Sequence, residues 1–218
     1  MQDVDWLALA LSVRLGLATC LLLSLFVPLL VFAASLLPAL WQRILSTSSL
    51  LSLSLPPTVL GFYALLLLSP QGILGQLVEG GLAFSFWGLV LACSLFNLPF
   101  MFSPLLNALH TLSQAQQEAL QLLGRSRFYN FRKVIWPHIR PVWVLGICVC
   151  FAHCMGEFGV VMMVGGSIPN ETKVFSVAIY ELVEQLEYEK AHKNAAVMLL
   201  LAFVIAFLTS HLGSKLKA

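Results

Sequence analysis

A chain of 218 residues that is 59% hydrophobic and only 10% charged is not an ordinary soluble domain, and its solvent is mostly lipid. A formal charge of +2 is too small to suit nucleic acid, and the basic residues gather in a few connecting segments, where they act as topology signals. All five cysteines (Cys20, Cys93, Cys148, Cys150 and Cys154) lie in apolar runs, which excludes the disulfide framework of a small secreted domain.

The chain opens MQDVDW, with Asp3 and Asp5 where a secretory leader carries basic residues, and no small-residue cleavage site follows the first apolar run. That run is therefore expected to stay in the mature protein. At about 20 apolar residues per crossing, five spans are expected in one transmembrane domain covering 1–218, at about 15–37, 50–68, 82–105, 142–164 and 195–212. An odd number of crossings puts the termini on opposite sides. With the N-terminus outside, Arg43, Arg125, Arg127, Arg132, Lys133, Arg140, Lys215 and Lys217 fall inside, while most carboxylates fall outside. The excess of cations on cytoplasmic loops makes this arrangement, N-out and C-in, the expected one.

Prolines interrupt the second run at Pro56 and Pro57, and the third at Pro99 and Pro104. Each removes an amide donor and bends the chain. In hydrocarbon a freed carbonyl is tolerated where helices pack or line a path, so Pro56, Pro57 and Thr58 are pathway candidates, with a kinked packing helix as the alternative.

Between the third and fourth runs, 113–137 forms the longest polar interruption. Ser113 and Gln116 make a capping-box pattern, Ala115, Ala119, Leu122 and Leu123 recur at helical spacing, and Gly124 supplies a helix end. Phe128 and Phe131 then sit three apart beside Arg127, Arg132 and Lys133, and Pro137 is expected to stop the element before the fourth span. Two short helices at an angle, with aromatic anchors pointing away from a basic collar, suit either docking into a groove of a partner protein or an amphipathic hairpin held on anionic lipid.

The fourth run contains CVCFAHCMGEFG. Glu157 is the one carboxylate deep in an apolar run, flanked by Gly156 and Gly159, and such a residue faces the bundle interior or water. It reads as a gate or pathway element, or as a hydrogen-bonding residue that fixes packing. Cys150, His153 and Cys154 fall roughly on one helical face, as a transition-metal site requires; small cysteines are also common in apolar helices, so a membrane metal or redox protein stays as the alternative of another class. After this run, backbone amides near Gly165, Gly166, Ser167, Ile168 and Pro169 are candidate anion donors at an outer mouth. The fifth run completes the expected bundle.

The spacing Glu118-Ala119-Leu120, Gly124, then Val134-Ile135-Trp136-Pro137 resembles the EAA loop of ABC importer permeases, E-A-A, three residues, G, nine residues, I-x-L-P, with Leu120, Val134 and Trp136 as departures. LPPTVLGFYALLLLSPQGILG (55–75) resembles the LPPTV-x-G segment of molybdate permeases. MGEFGVVMMVGGSIPNETKVFSVAIY (155–180) resembles their GEFG, M-V-x-G-x-I-P, T and A-I-Y signature. Members of that group often carry Arg where this chain has His153.

The resemblance implies an all-α integral membrane protein with the type I ABC importer transmembrane fold and cytoplasmic coupling helices. It makes Glu118, Ala119, Gly124 and Pro137 residues expected to couple to ATPases, joined by Phe128 and Arg132 from the reading of the basic, aromatic segment as a docking element. It further implies a homodimer in a bacterial inner membrane, two cytoplasmic ATPase subunits that hold ATP and magnesium, an external oxyanion-binding protein, and no cofactor on this chain. No G-x-x-x-x-G-K-[ST] motif occurs, so ATP chemistry is delegated. The implied cargo is molybdate, with tungstate alongside and sulfate or thiosulfate as the alternative.

Overall fold

A computed structural model describes residues 3–112 and 126–217; among them the chain is helical and has no strand. The helices are α1 (Trp6–Ser35), α2 (Ala39–Ser54), α3 (Pro57–Leu68), α4 (Phe86–His110), α5 (Arg127–Asn130), α6 (Trp136–Gly156), α7 (Gly159–Gly165), α8 (Phe175–Glu184) and α9 (Tyr188–Lys217). A π-helical turn, Phe131–Ile135, joins α5 to α6, so 128–156 runs as one helix. This helix, α1, α4 and α9 are long and apolar enough to cross a membrane.

The expected crossings shift in instructive ways. Helix α1 starts at Trp6 and not near residue 15, because Asp5 Oδ1 accepts the Ala8 N–H at 3.0 Å and caps the helix. Arg14 does not end the apolar helix; its guanidinium sits 5.3 Å from the centre of the Phe86 ring. The crossing expected at 50–68 is split at Leu55–Pro56 into α2 and α3, since neither proline can donate and Pro57 opens a new helix at its first turn. Pro99 and Pro104, by contrast, both lie inside continuous α4.

The crossing expected at 142–164 begins earlier and ends at a break. Pro137 does not stop the preceding element, which corrects the sequence expectation. The wider π turn places the Trp136 N–H on the Phe131 carbonyl, and Pro137 then falls in the first turn of α6, where a missing donor costs least. At the other end α6 stops at Gly156, and short α7 restarts at Gly159.

In lipid the packing partners are chosen by fit and not by greasiness. Leu15, Leu23, Val27 and Val31 of α1 are buried, while Leu17, Leu21, Leu25 and Leu29 on its other side are exposed. Two apolar cores stack along the bundle. One joins Leu15, Leu68, Leu89, Cys93, Val160, Val161 and Val164; the other joins Val27, Val31, Met101, Leu105, Ile139 and Cys150. Close approach uses Gly16, where a Cβ would lie 3.0 Å from the Phe151 ring. Much of α9 faces outward, with Leu199, Leu200, Phe203 and Phe207 exposed.

Candidate functional site

Three parts of the chain carry the chemistry, and the fold joins two of them. The first is the break between α6 and α7. Glu157 takes extended backbone angles and is 5% exposed. Its Oε1 accepts the Val160 N–H at 3.3 Å, and its Oε2 lies 3.6 Å from His153 Nδ1. The His153 ring is stacked obliquely between Phe96 and Phe100, at 5.2 and 4.5 Å between centroids. The Glu157 carbonyl, orphaned by the break, accepts the Ser176 hydroxyl at 2.6 Å. One side chain thus holds the start of α7, and a hydroxyl from α8 closes the gap behind it.

This break seats α7 against the start of α3. A Cβ on Gly159 would lie 2.8 Å from Pro57 Cβ, and one on Gly61 would lie 2.7 Å from Met163 Cβ and 3.1 Å from Val160 Cα. The LPPTV and GEFG stretches, about a hundred residues apart in the chain, therefore form one seam with Pro56, Pro57 and Thr58 exposed along it. Gly156 does not belong to the close contact, because a Cβ there would meet nothing within 4 Å.

The turn after α7 is built from the inside. Gly166 has φ +60°, which favours glycine. Thr172, fully buried, donates its hydroxyl to the Gly165 carbonyl at 2.6 Å and accepts the Ile168 N–H at 3.0 Å. The Gly166 N–H donates to the Met162 carbonyl at 3.0 Å. The amides of Gly166 and Ile168, expected as anion donors, are therefore spent within the turn, while Ile168 and Pro169 are exposed on its rim. Ser167 turns its hydroxyl to Glu181, not to the mouth.

A charged network lies beside this turn. Lys173 Nζ is 2.7 Å from Glu181 Oε2 and 3.9 Å from Asp5 Oδ2. Partial burial opposes ionisation of Glu181, but the hydrogen bonds from Lys173 and Ser167 outweigh it and hold the carboxyl below the usual range. Asn194 of α9 accepts the Asp5 N–H at 3.0 Å and donates to the Asp3 carbonyl at 2.9 Å, fastening the N-terminus to α9. Phe175 N–H donates to Ser12 Oγ at 2.8 Å, fastening α8 to α1.

The third part is the polar segment 113–137, the candidate for coupling. Glu118, Ala119 and Gly124, with the capping-box pair, lie outside the described residues. In the remainder, Ser126 Oγ accepts the Tyr129 N–H at 3.3 Å at the start of α5. Arg132 and Pro137 are exposed, as is Phe128 at 63%. Phe131 does not point away toward a partner: its ring meets Phe32 of α1 edge-on at 4.9 Å, and it packs on the second core. Phe131 holds the segment to its own bundle, whereas Phe128 reaches Phe32 only at 6.2 Å and keeps most of its surface free.

Cys150, His153 and Cys154 do not converge. Cys150 and Cys154 are buried in different apolar cores, and Cys150 Sγ points to the Asn97 carbonyl at 3.7 Å while His153 turns to Glu157. Among the described residues no group of three His, Cys, Asp or Glu side chains is placed to hold a metal ion. Thr172 stands in the signature stretch quoted from the sequence, whereas the hydroxyls of Ser12 and Ser176, which fasten α8 to α1 and close the break at Glu157, were missed in the sequence.

Comparison with known proteins agrees with this architecture. Residues 12–217 match the family described as binding-protein-dependent transport system inner membrane component. The chain is 42% identical over 161 residues to the molybdenum transport system permease protein ModB of Azotobacter vinelandii, covering 72% of this chain and 71% of that one. It is 29% identical over 204 residues to a probable sulfate transport system permease protein cysT of Prototheca wickerhamii, covering 92% and 80%. A bacterial alginate ABC transporter, solved in complex with an alginate pentasaccharide-bound periplasmic protein, shares the fold, with TM-score 0.75 and 16% identity over 96% of this chain and 78% of that one. A bundle broken at Glu157, seamed between α3 and α7 and matched over nearly its whole length, belongs to the inner membrane components of binding-protein-dependent transport systems, and the chain is the permease subunit of an ABC importer.

Proposed function

We propose that the imported solute is a tetrahedral oxyanion, molybdate first, with tungstate following the same route and sulfate or thiosulfate as the second reading. The similarity to the molybdenum permease carries this choice, at 42% identity against 29% for the sulfate permease of Prototheca wickerhamii, although the latter match extends over more of the chain. Two copies of the chain enclose the pathway, with the α3–α7 seam and the turn at Gly165 to Pro169 along it. An external binding protein delivers the anion, as the periplasmic partner of the alginate transporter suggests. Two cytoplasmic ATPases hold ATP and magnesium and act on residues 113–137. ATP binding must favour one arrangement of the bundle and the loaded binding protein must help select it, because a ligand with no preference between states moves nothing.

The proposed orientation is N-out and C-in. Asp3, Asp5, Lys173, Glu181, Lys190 and Asn194 gather around one cavity, which supports placing the N-terminus and both ends of the α8–α9 connection on one side. A thiol introduced at Glu187 is expected to react with an impermeant reagent from outside, and one at Arg127 only from inside; the reverse pattern would overturn the orientation.

Elemental mass spectrometry of cells lacking the chain, and of the same cells with it restored, tests the cargo. A deficit confined to molybdenum and tungsten is the expected result. A deficit in sulfate uptake alone would transfer the assignment to the second reading, and no deficit in any oxyanion would refute it.

A further inference from the structure

The two ends of the bundle differ sharply in charge. Helices α1, α2, α3, α4, α6 and α7 carry no carboxylate at all, and Asp3, Asp5, Glu181, Glu187 and Glu189 cluster where α1 and α9 begin. At the opposite end, the first turns of α2 meet the last turns of α4 around a cavity of about 460 Å³. Its polar lining is Gln42, Arg43, Ser46 and Thr47 from α2 with Asn107 and His110 from α4.

These side chains are placed by helical repeat and by braces outside the cavity. Gln42 and Arg43 stand one turn before Ser46 and Thr47, so all four share a face of α2. Ser49 Oγ lies 2.9 Å from Ser103 Oγ and joins the two helices one turn further on. Gln42 Nε2 donates to the Leu37 carbonyl at 2.9 Å, which orients its amide. The end of α4 is fixed from behind, where His138 Nε2 lies 3.1 Å from the Ala108 carbonyl and 3.2 Å from Thr111 Oγ1.

We propose that this cavity binds a tetrahedral oxyanion group. Arg43 offers a planar fork that matches two oxygens of such a group. His110 offers a ring N–H, Ser46 and Thr47 offer hydroxyls, and Asn107 offers an amide. Among the described residues no carboxylate lines the cavity, so a cation there would meet the Arg43 guanidinium, whereas a dianion meets donors from two helices. The same chemistry fits a free molybdate or sulfate ion leaving the pathway and the phosphate of an anionic lipid. The site goes beyond the uptake reading and does not depend on which oxyanion is imported.

The test uses the assembled permease and ATPase complex in nanodiscs of phosphatidylcholine alone, with radiolabelled sulfate and molybdate as probes in equilibrium dialysis and no binding protein present. Arg43→Gln and His110→Gln are each expected to weaken binding by about tenfold or more, the loss of one charge-assisted contact. Arg140→Gln, which removes an exposed cation outside the cavity, is expected to leave binding unchanged. If neither ion binds in those discs, native mass spectrometry after exchange into phosphatidylglycerol decides the lipid source: retention of that lipid by the unaltered complex, and its loss in Arg43→Gln, supports the site with a lipid phosphate as occupant. The proposal is overturned if no probe is held, or if Arg140→Gln weakens binding as much as the two cavity variants.

Discussion

Gly159→Val is expected to abolish uptake while the chain still inserts in the membrane. A Cβ at this position already lies 2.8 Å from Pro57 Cβ and 3.4 Å from the Thr58 nitrogen, and valine adds two methyl groups to that contact. Pro57 is a ring at the start of a helix and not the free end of a flexible side chain, so it has little room to yield. Overpacking of this kind costs about 1–3 kcal/mol, and here it separates α7 from α3 at the seam where the bundle is expected to open and close. Gly156→Ala, three residues earlier, is expected to be silent, since its Cβ meets nothing within 4 Å. Transport and detergent thermal stability are the readouts. Pairing Gly159→Val with Pro57→Gly, which removes the Cβ at the contact, is expected to recover part of both losses. Equal behaviour of the variants at Gly156 and Gly159, or no recovery in the pair, would remove the seam as the cause.

Thr172→Val is expected to lower stability by about 2–3 kcal/mol, from one buried and one partly buried backbone group left without partners. The Gly165 carbonyl loses a donor and the Ile168 N–H loses an acceptor, and both lie in the turn that carries Lys173 to Glu181. Valine also brings a methyl group to within the 2.6 Å now spanned by a hydrogen bond. Thr172→Ser keeps the hydroxyl and is expected to retain most of the stability. Melting of the purified complex, followed by size-exclusion chromatography, separates the cases: similar melting of the valine and unaltered proteins would show that the hydroxyl does not hold the turn.

Much of the molecule was legible in the sequence because lipid imposes simple demands. Long apolar runs had to become helices, since no other local structure satisfies its own backbone in hydrocarbon, and the four long apolar helices fall where such runs were read. Pro56 and Pro57 marked a real division between α2 and α3. Pro137 marked none, because a π turn upstream absorbed it, a change in hydrogen-bond register that spacing alone does not show. Phe131 was misread for a related reason. Spacing shows which side chains share a helical face, but only the position of Phe32 on α1 shows that the face is already occupied.

By itself the sequence determined the membrane solvent and the helical class, which are properties of local composition, and its two motif stretches carried the resemblance to the family. The tertiary structure alone decided that those stretches meet, that Gly159 and not Gly156 is the point of contact, that Thr172 consumes an amide expected for an anion, and that Arg43 and His110 face one cavity. These are relations between residues distant along the chain. They follow from how the helices pack, and in a bundle apolar on nearly every side no hydrophobic period announces which face will be inside.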